Sequence, residues 1–250
     1  MRDILIGCAM AVSAMAQASG DPPPLLQITR IPHGAKVDRP YATAKAAVDV
    51  IGMASMTGLP ESWLVESHIN FTSVEDLDTA LRAHVTPGRS NEFGEAQPDE
   101  LLGGPRTMLA VYERQFSIRA AEAIRIFPKT RYFRVSIYRD KPTSSQTISA
   151  VSQELRQEYA PVNLVRPQLV YRVISGAPAS TYIVLAPLTS LRQIDEAVLQ
   201  VPAYLEPGAG STSDHEVGRE HLMFRVEPQL SYVSTEFAGE DAAYWKPQRQ

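Results

Sequence analysis

The chain has 250 residues, with 24 Lys and Arg against 28 Asp and Glu for a net charge of −4, and a single cysteine. Its basic residues are scattered rather than clustered, which argues against a nucleic-acid partner, and one cysteine excludes an intramolecular disulfide framework or a multi-cysteine metal site. Beyond the N-terminal segment, no stretch has the roughly 20 consecutive apolar residues of a membrane-spanning helix.

In chain order, Arg2, an apolar run from Ile4 to Ala16 and the small-residue patterns Ala14-Met15-Ala16 and Ala16-Gln17-Ala18 read as an export signal over residues 1–18. The expected location is periplasmic or secreted. Cleavage before Gln17 would remove Cys8 and leave a mature chain without a thiol. Leu5-Ile6-Gly7-Cys8 also resembles a lipoprotein box, but only seven residues precede the cysteine, too few for a proper signal of that kind.

Leu25 to Ile31 predicts a strand, about Pro40 to Ala47 a shortened helix, and Val50 to Met56 with Ser62 to His68 a hairpin. Ser73 then caps a helix carrying Val74, Leu77 and Leu81. A Gly- and Pro-rich loop over residues 87–105 precedes a last strand near Thr107 to Tyr112. Tyr132 to Tyr138 starts a second series, with Phe133, Val135 and Ile137 alternating against Tyr132, Arg134, Ser136 and Tyr138. Ile148, Val151, Leu155 and Tyr159 form a helical stripe that stops before Pro161. Leu169 to Ile174 and Tyr182 to Ala186 form a hairpin closed by Pro187, and a capping box of Ser190 and Gln193 opens another helix. Residues 206–219 read as a loop, and the last strand falls within Leu222 to Tyr232.

The two series are the same series. Thr57-Gly58-Leu59-Pro60 returns as Ser175-Gly176-Ala177-Pro178, Thr72-Ser73-Val74 as Thr189-Ser190-Leu191, and Glu113-Arg114-Gln115-Phe116-Ser117 as Glu227-Pro228-Gln229-Leu230-Ser231. Ordered blocks at near-constant offset indicate a tandem duplication, with repeats over 25–127 and 132–240, each a β-α-β-β-α-β unit and the first with an eroded first helix.

A Ser-Gly-x-Pro hairpin before an aromatic-aliphatic strand, and a Thr-Ser cap before an Ile-Asp helix, in two split-βαβ units, resemble the dimeric α+β barrel superfamily. The nearest flavour is the exported, uncharacterised proteins related to antibiotic-biosynthesis monooxygenases and NIPSNAP-like proteins. The resemblance covers about residues 25 to 240 and implies an α+β fold in which tandem ferredoxin-like units form an intramolecular dimeric α+β barrel, helices outside and a ligand cavity between the sheets. Members include cofactor-independent monooxygenases, haem-binding enzymes, isomerases and proteins of no known activity, without a universal catalytic motif, so the resemblance implies no particular chemistry.

If Phe133, Val135 and Ile137 pack against helices, the other face of that strand puts Tyr132, Arg134, Ser136 and Tyr138 into the lumen, joined by Arg172 and Tyr182, as ligand-binding candidates. The competing reading has these residues snorkelling to solvent. His68 is the candidate catalytic residue, a general base able to take a proton from a bound phenol, against an ordinary structural histidine. Asp214 to His221 concentrates metal-ligand residue types without a metal spacing, so no metal and no cofactor are expected. The expectation is an exported protein binding a small organic molecule in the lumen. The alternatives are a cofactor-independent monooxygenase-like enzyme acting on an aromatic or quinone-like compound, and a structural or interaction module. A small-molecule ligand is the expected partner, and the assembly a monomeric pseudo-dimer or a higher oligomer.

Overall fold

The computed structural model describes residues 20–33, 49–69, 106–141, 146–154, 166–195 and 216–245. The export signal, Cys8, both helices expected in the first repeat and the 87–105 loop lie outside the described residues.

Among the described residues there are eight strands: β1 Leu25–Pro32, β2 Asp49–Ser55, β3 Glu61–His68, β4 Arg106–Tyr112, β5 Tyr132–Asp140, β6 Leu169–Ser175, β7 Thr181–Leu188 and β8 Glu216–Val226. Helices among the described residues include α1 Ala120–Ile126, α2 Gln146–Glu154, α3 Thr235–Gly239 and α4 Ala242–Trp245. All strand pairs are antiparallel and close into one barrel in the order β1-β3-β2-β8-β5-β7-β6-β4. Closure is completed within one chain.

The order reads 4-1-3-2 followed by 8-5-7-6, the same arrangement twice. Each half contributes a hairpin whose turn holds a glycine at positive φ, Gly58 at 80° and Gly176 at 84°. Such a backbone suits glycine because it has no Cβ. At Gly176 a Cβ would also overlap the Thr107 carbonyl oxygen.

The halves are fastened to each other by matching staples. After β4, the Glu113 N–H donates to Val170 O at 2.8 Å, and the Ser117 hydroxyl donates to Glu113 O while accepting the Val170 N–H at 2.9 Å. After β8, the Glu227 N–H donates to Gly52 O at 2.8 Å, and the Ser231 hydroxyl donates to Glu227 O while accepting the Gly52 N–H at 2.9 Å. The bridges Ile118↔Gln168 and Val50↔Tyr232 extend the two staples in the same way. Each hooks the segment after a half's fourth strand onto the second strand of the other half, satisfying backbone groups where the ladder ends.

Two expected boundaries move. β7 runs through Pro187 to Leu188, because β6 begins opposite Leu185 and leaves β7 one unpaired side, where a missing N–H costs no ladder bond. β8 starts at Glu216, inside the segment read as a loop, because Gly218, Arg219 and Glu220 pair with Arg139, Tyr138 and Ile137.

Candidate functional site

The inward face is settled by packing. Alternate side chains of a strand point to opposite faces, and one apolar cluster draws residues from all eight strands, including Ile28, Met53, Trp63, Ala110, Val135 and Phe224. Only the interior of a closed barrel lets one face of every strand meet. That interior is filled: Trp63 and Phe224 rings lie 4.8 Å apart, and both side chains are fully buried. An eight-stranded barrel is just wide enough for its side chains to fill it.

The lumen-facing expectation for β5 is therefore out of phase by one residue. Phe133, Val135 and Ile137 point inward, so Tyr132, Arg134, Ser136 and Tyr138 point outward, and the expected lumen site is replaced by packed core. On β7 and β6 the inward residues are Ile183, Tyr171 and Val173, which turns Tyr182 and Arg172 outward as well. Three of these candidates still meet: Arg172 pairs across with Tyr182, and Tyr182 with Tyr138. Tyr138 and Tyr182 are buried with Ile148 of α2 and Phe116, while Arg172 forms an ion pair with Glu113 at 2.7 Å. Tyr132 and Arg134 lie further along β5. His221, from the segment rich in metal-ligand types, shares a 2.8 Å hydrogen bond between its Nδ1 and the Ser136 hydroxyl.

His68 ends β3 on the outer face of the first half, in line with Glu66, whose carboxylate accepts from Gln27 at 3.2 Å. Its Nε2 is buried and has no hydrogen-bond partner among the described residues. Burial lowers its pKa below the usual 6.5, because desolvation disfavours the imidazolium.

A cavity of about 620 Å³ lies at the barrel mouth where β1 and β5 begin. Its floor is made by Asp49, Ile51, Ser67 and Ile69, which continue the inward register of β2 and β3. One wall comes from α1 and the 3-10 turn after it, with Ile124, Arg125, Phe127 and Lys129. The opposite wall is α3, with Glu236, Phe237 and Glu240 beyond its end. These helices follow the two staples, so the same closure that joins the halves brings α1 and α3 over one mouth.

The C-terminal segment is held there firmly. Trp245 Nε1 donates to Pro128 O at 2.7 Å, the Tyr244 hydroxyl donates to Val226 O at 2.8 Å, and Arg131 pairs with Asp241 while lying over the Tyr244 ring. Asp49 is only 4% exposed, and its Oδ1 accepts the Ser234 N–H just ahead of α3. Ser67 is also buried, whereas Asp21, Arg125, Lys129, Glu236 and Glu240 are exposed. Lys129 and Glu240 form an ion pair at 3.4 Å. The cavity thus combines apolar and polar surface in near-equal measure, with two buried polar groups and a charged rim. None of these residues carries a local motif; they converge from separate segments.

Comparison with known proteins locates the fold but not the chemistry. No protein-family model and no curated protein matches the chain. Among solved structures, it is similar to an anthrone oxidase-like protein, with 11% identity and a TM-score of 0.50 over 83% of this chain and 93% of that one. It is also similar to a candidate monooxygenase from Fusobacterium nucleatum, at 13% identity and a TM-score of 0.45 over 82% and 93% of the two chains. A candidate monooxygenase from Lactobacillus acidophilus aligns at 11% identity and a TM-score of 0.42, over 81% and 93%. The closed antiparallel barrel matches dimeric α+β barrel-like structures, and at such identities the likeness is one of fold.

Proposed function

We propose that the protein, exported by its N-terminal segment and built by tandem duplication, binds a small organic molecule in the cavity at the barrel mouth. The observation that supports this reading is the cavity itself, whose volume of about 620 Å³ falls in the range of about 300–1,000 Å³ usual for small-ligand sites. Under this reading the ligand site is at the end of the filled lumen. There Ile51, Phe127 and Phe237 offer apolar surface, while Asp49 and Ser67 offer orienting polar groups. Native mass spectrometry of protein purified without denaturation tests this. The expected result is a reproducible small adduct on the chain that is lost in Ser67→Trp, which fills the floor. A bare chain, together with no change in melting temperature across a broad small-molecule panel, would overturn it.

One observation favours a second reading, a cofactor-independent oxygenase acting on a phenol-like compound. Burial disfavours the charged form of the His68 imidazole, and its Nε2 lacks a partner among the described residues; a general base must start from the uncharged form. The anthrone oxidase-like neighbour suggests the first probe. Oxygen uptake with an anthrone that disappears in His68→Ala is the expected result under this reading, and an unchanged rate in that variant removes His68 from it.

A further inference from the structure

We propose that the mouth cavity selects an uncharged oxygen-bearing molecule, an alcohol or ketone on an apolar body, with Ser67 recognising its oxygen; this assignment rests on the cavity reading above. Ser67 continues the inward series of Trp63 and Val65 along β3 and ends it at the cavity floor. It is only 7% exposed, yet its hydroxyl has no hydrogen-bond partner among the described residues. The large majority of buried side-chain polar atoms are hydrogen-bonded, and this one lines a cavity. An oxygen of a bound molecule would complete it.

The neighbouring groups bear on the charge of that molecule. Asp49, which pairs with Ser67 across β2 and β3, is committed to the chain ahead of α3, where it accepts the Ser234 N–H. The cations among the described lining residues, Arg125 and Lys129, are exposed at the rim, and Glu240 engages Lys129. An anionic group drawn down to Ser67 would lose its water beside a buried carboxylate, whereas a hydroxyl or carbonyl loses far less and gains a bond. Ile51, Ile69, Ile124 and Phe127 supply a surface for the apolar body.

Barrel closure does not call for this hydroxyl. The matching bridges Val50↔Tyr232 and Ile118↔Gln168 align Asp49 with Pro167, and the pairs Ile51↔Val65 and Leu169↔Leu185 then align Ser67 with Pro187. The second half closes with a proline, which has no side-chain donor, in the same place.

Three probes sharing one ring system separate the hydroxyl from the cavity: 1-naphthylmethanol, 1-acetylnaphthalene and the hydrocarbon 1-methylnaphthalene, each measured by equilibrium dialysis against the full chain and its Ser67→Ala variant. The variant should weaken the alcohol and the ketone about fivefold, the worth of one neutral hydrogen bond, and leave the hydrocarbon unaffected. A loss confined to the alcohol supports the assignment equally and shows Ser67 accepting the bond. Because the hydroxyl makes no bond to a described residue, the ligand-free variant should melt at the parent's temperature, so that a change in binding is not a change in folding. Equal losses for all three probes, unchanged affinities throughout, or a clear fall in the variant's melting temperature overturns the role of Ser67 and leaves the cavity reading standing. Binding of none of the three to the parent chain overturns both.

Discussion

The two halves of the barrel agree where the backbone must be closed and differ where the mouth cavity forms. Ser117 and Ser231 make the same three-way bond, and Gly58 and Gly176 turn the same hairpin. At the mouth, however, Asp49 of the first half stands where the second half has Pro167, and the two differ again on their outer faces. The second half buries Tyr138 and Tyr182 beneath Ile148 of α2, whereas the first carries a Gln27–Glu66 pair and His68. Positions that satisfy backbone groups have few alternatives, while positions facing a cavity can change without opening the barrel.

The largest effect expected from breaking this comparison is in the interior. Trp63→Ala removes a fully buried indole packed on Phe224 and should cost about 3–5 kcal/mol in chemical denaturation. Next come the hairpins. Gly176→Ala meets both a positive φ and the Thr107 carbonyl, and should cost about 1–3 kcal/mol. Gly58→Ala should cost less, because its added Cβ meets only the flexible end of Leu222. The staples sharpen the symmetry itself: Ser117→Ala and Ser231→Ala should each cost about 1–2 kcal/mol by leaving a backbone N–H without its acceptor. Markedly unequal losses would show that one junction carries closure alone.

The smallest effect is that of pH. Burial holds the His68 pKa below 6.5, so between the folded value and 6.5 the unfolded chain binds more protons than the folded one. The corresponding stability is present above pH 6.5 and is lost as pH falls through that window. His68→Gln should flatten this part of the acid limb in denaturation midpoints measured against pH. An unaltered slope would assign the acid limb to other groups.

Much of this architecture can be read from the sequence. The repeated Gly turns and Glu-x-Gln-x-Ser blocks mark equivalent positions, and most strand limits lie within one or two residues of those observed. Strand phase was harder, because β5 has a wholly apolar face and an amphipathic face, and either could be assigned to a barrel lumen. A lumen filled by Trp63, Tyr171 and Phe224 takes the apolar face, leaving Tyr138 to pack beneath α2. The capping box illustrates the limit of local patterns: Gln193 does fold back, but its Oε1 accepts from the Thr189 N–H at 2.9 Å, one residue earlier than expected. The mouth cavity has no local pattern. Asp49 lies at a strand start, Ser67 near a strand end, and their opposing walls, α1 and α3, are more than a hundred residues apart in the chain.

The most direct test is a methyl-resolved NMR titration of the isoleucines with neutral 1-naphthylmethanol. Binding at the mouth predicts saturable shifts at Ile51, Ile69 and Ile124, which line the cavity, with Ile137 and Ile183 deep in the filled interior unchanged. Shifts centred on Ile137 and Ile183, or none at all, would contradict the mouth cavity as the binding site.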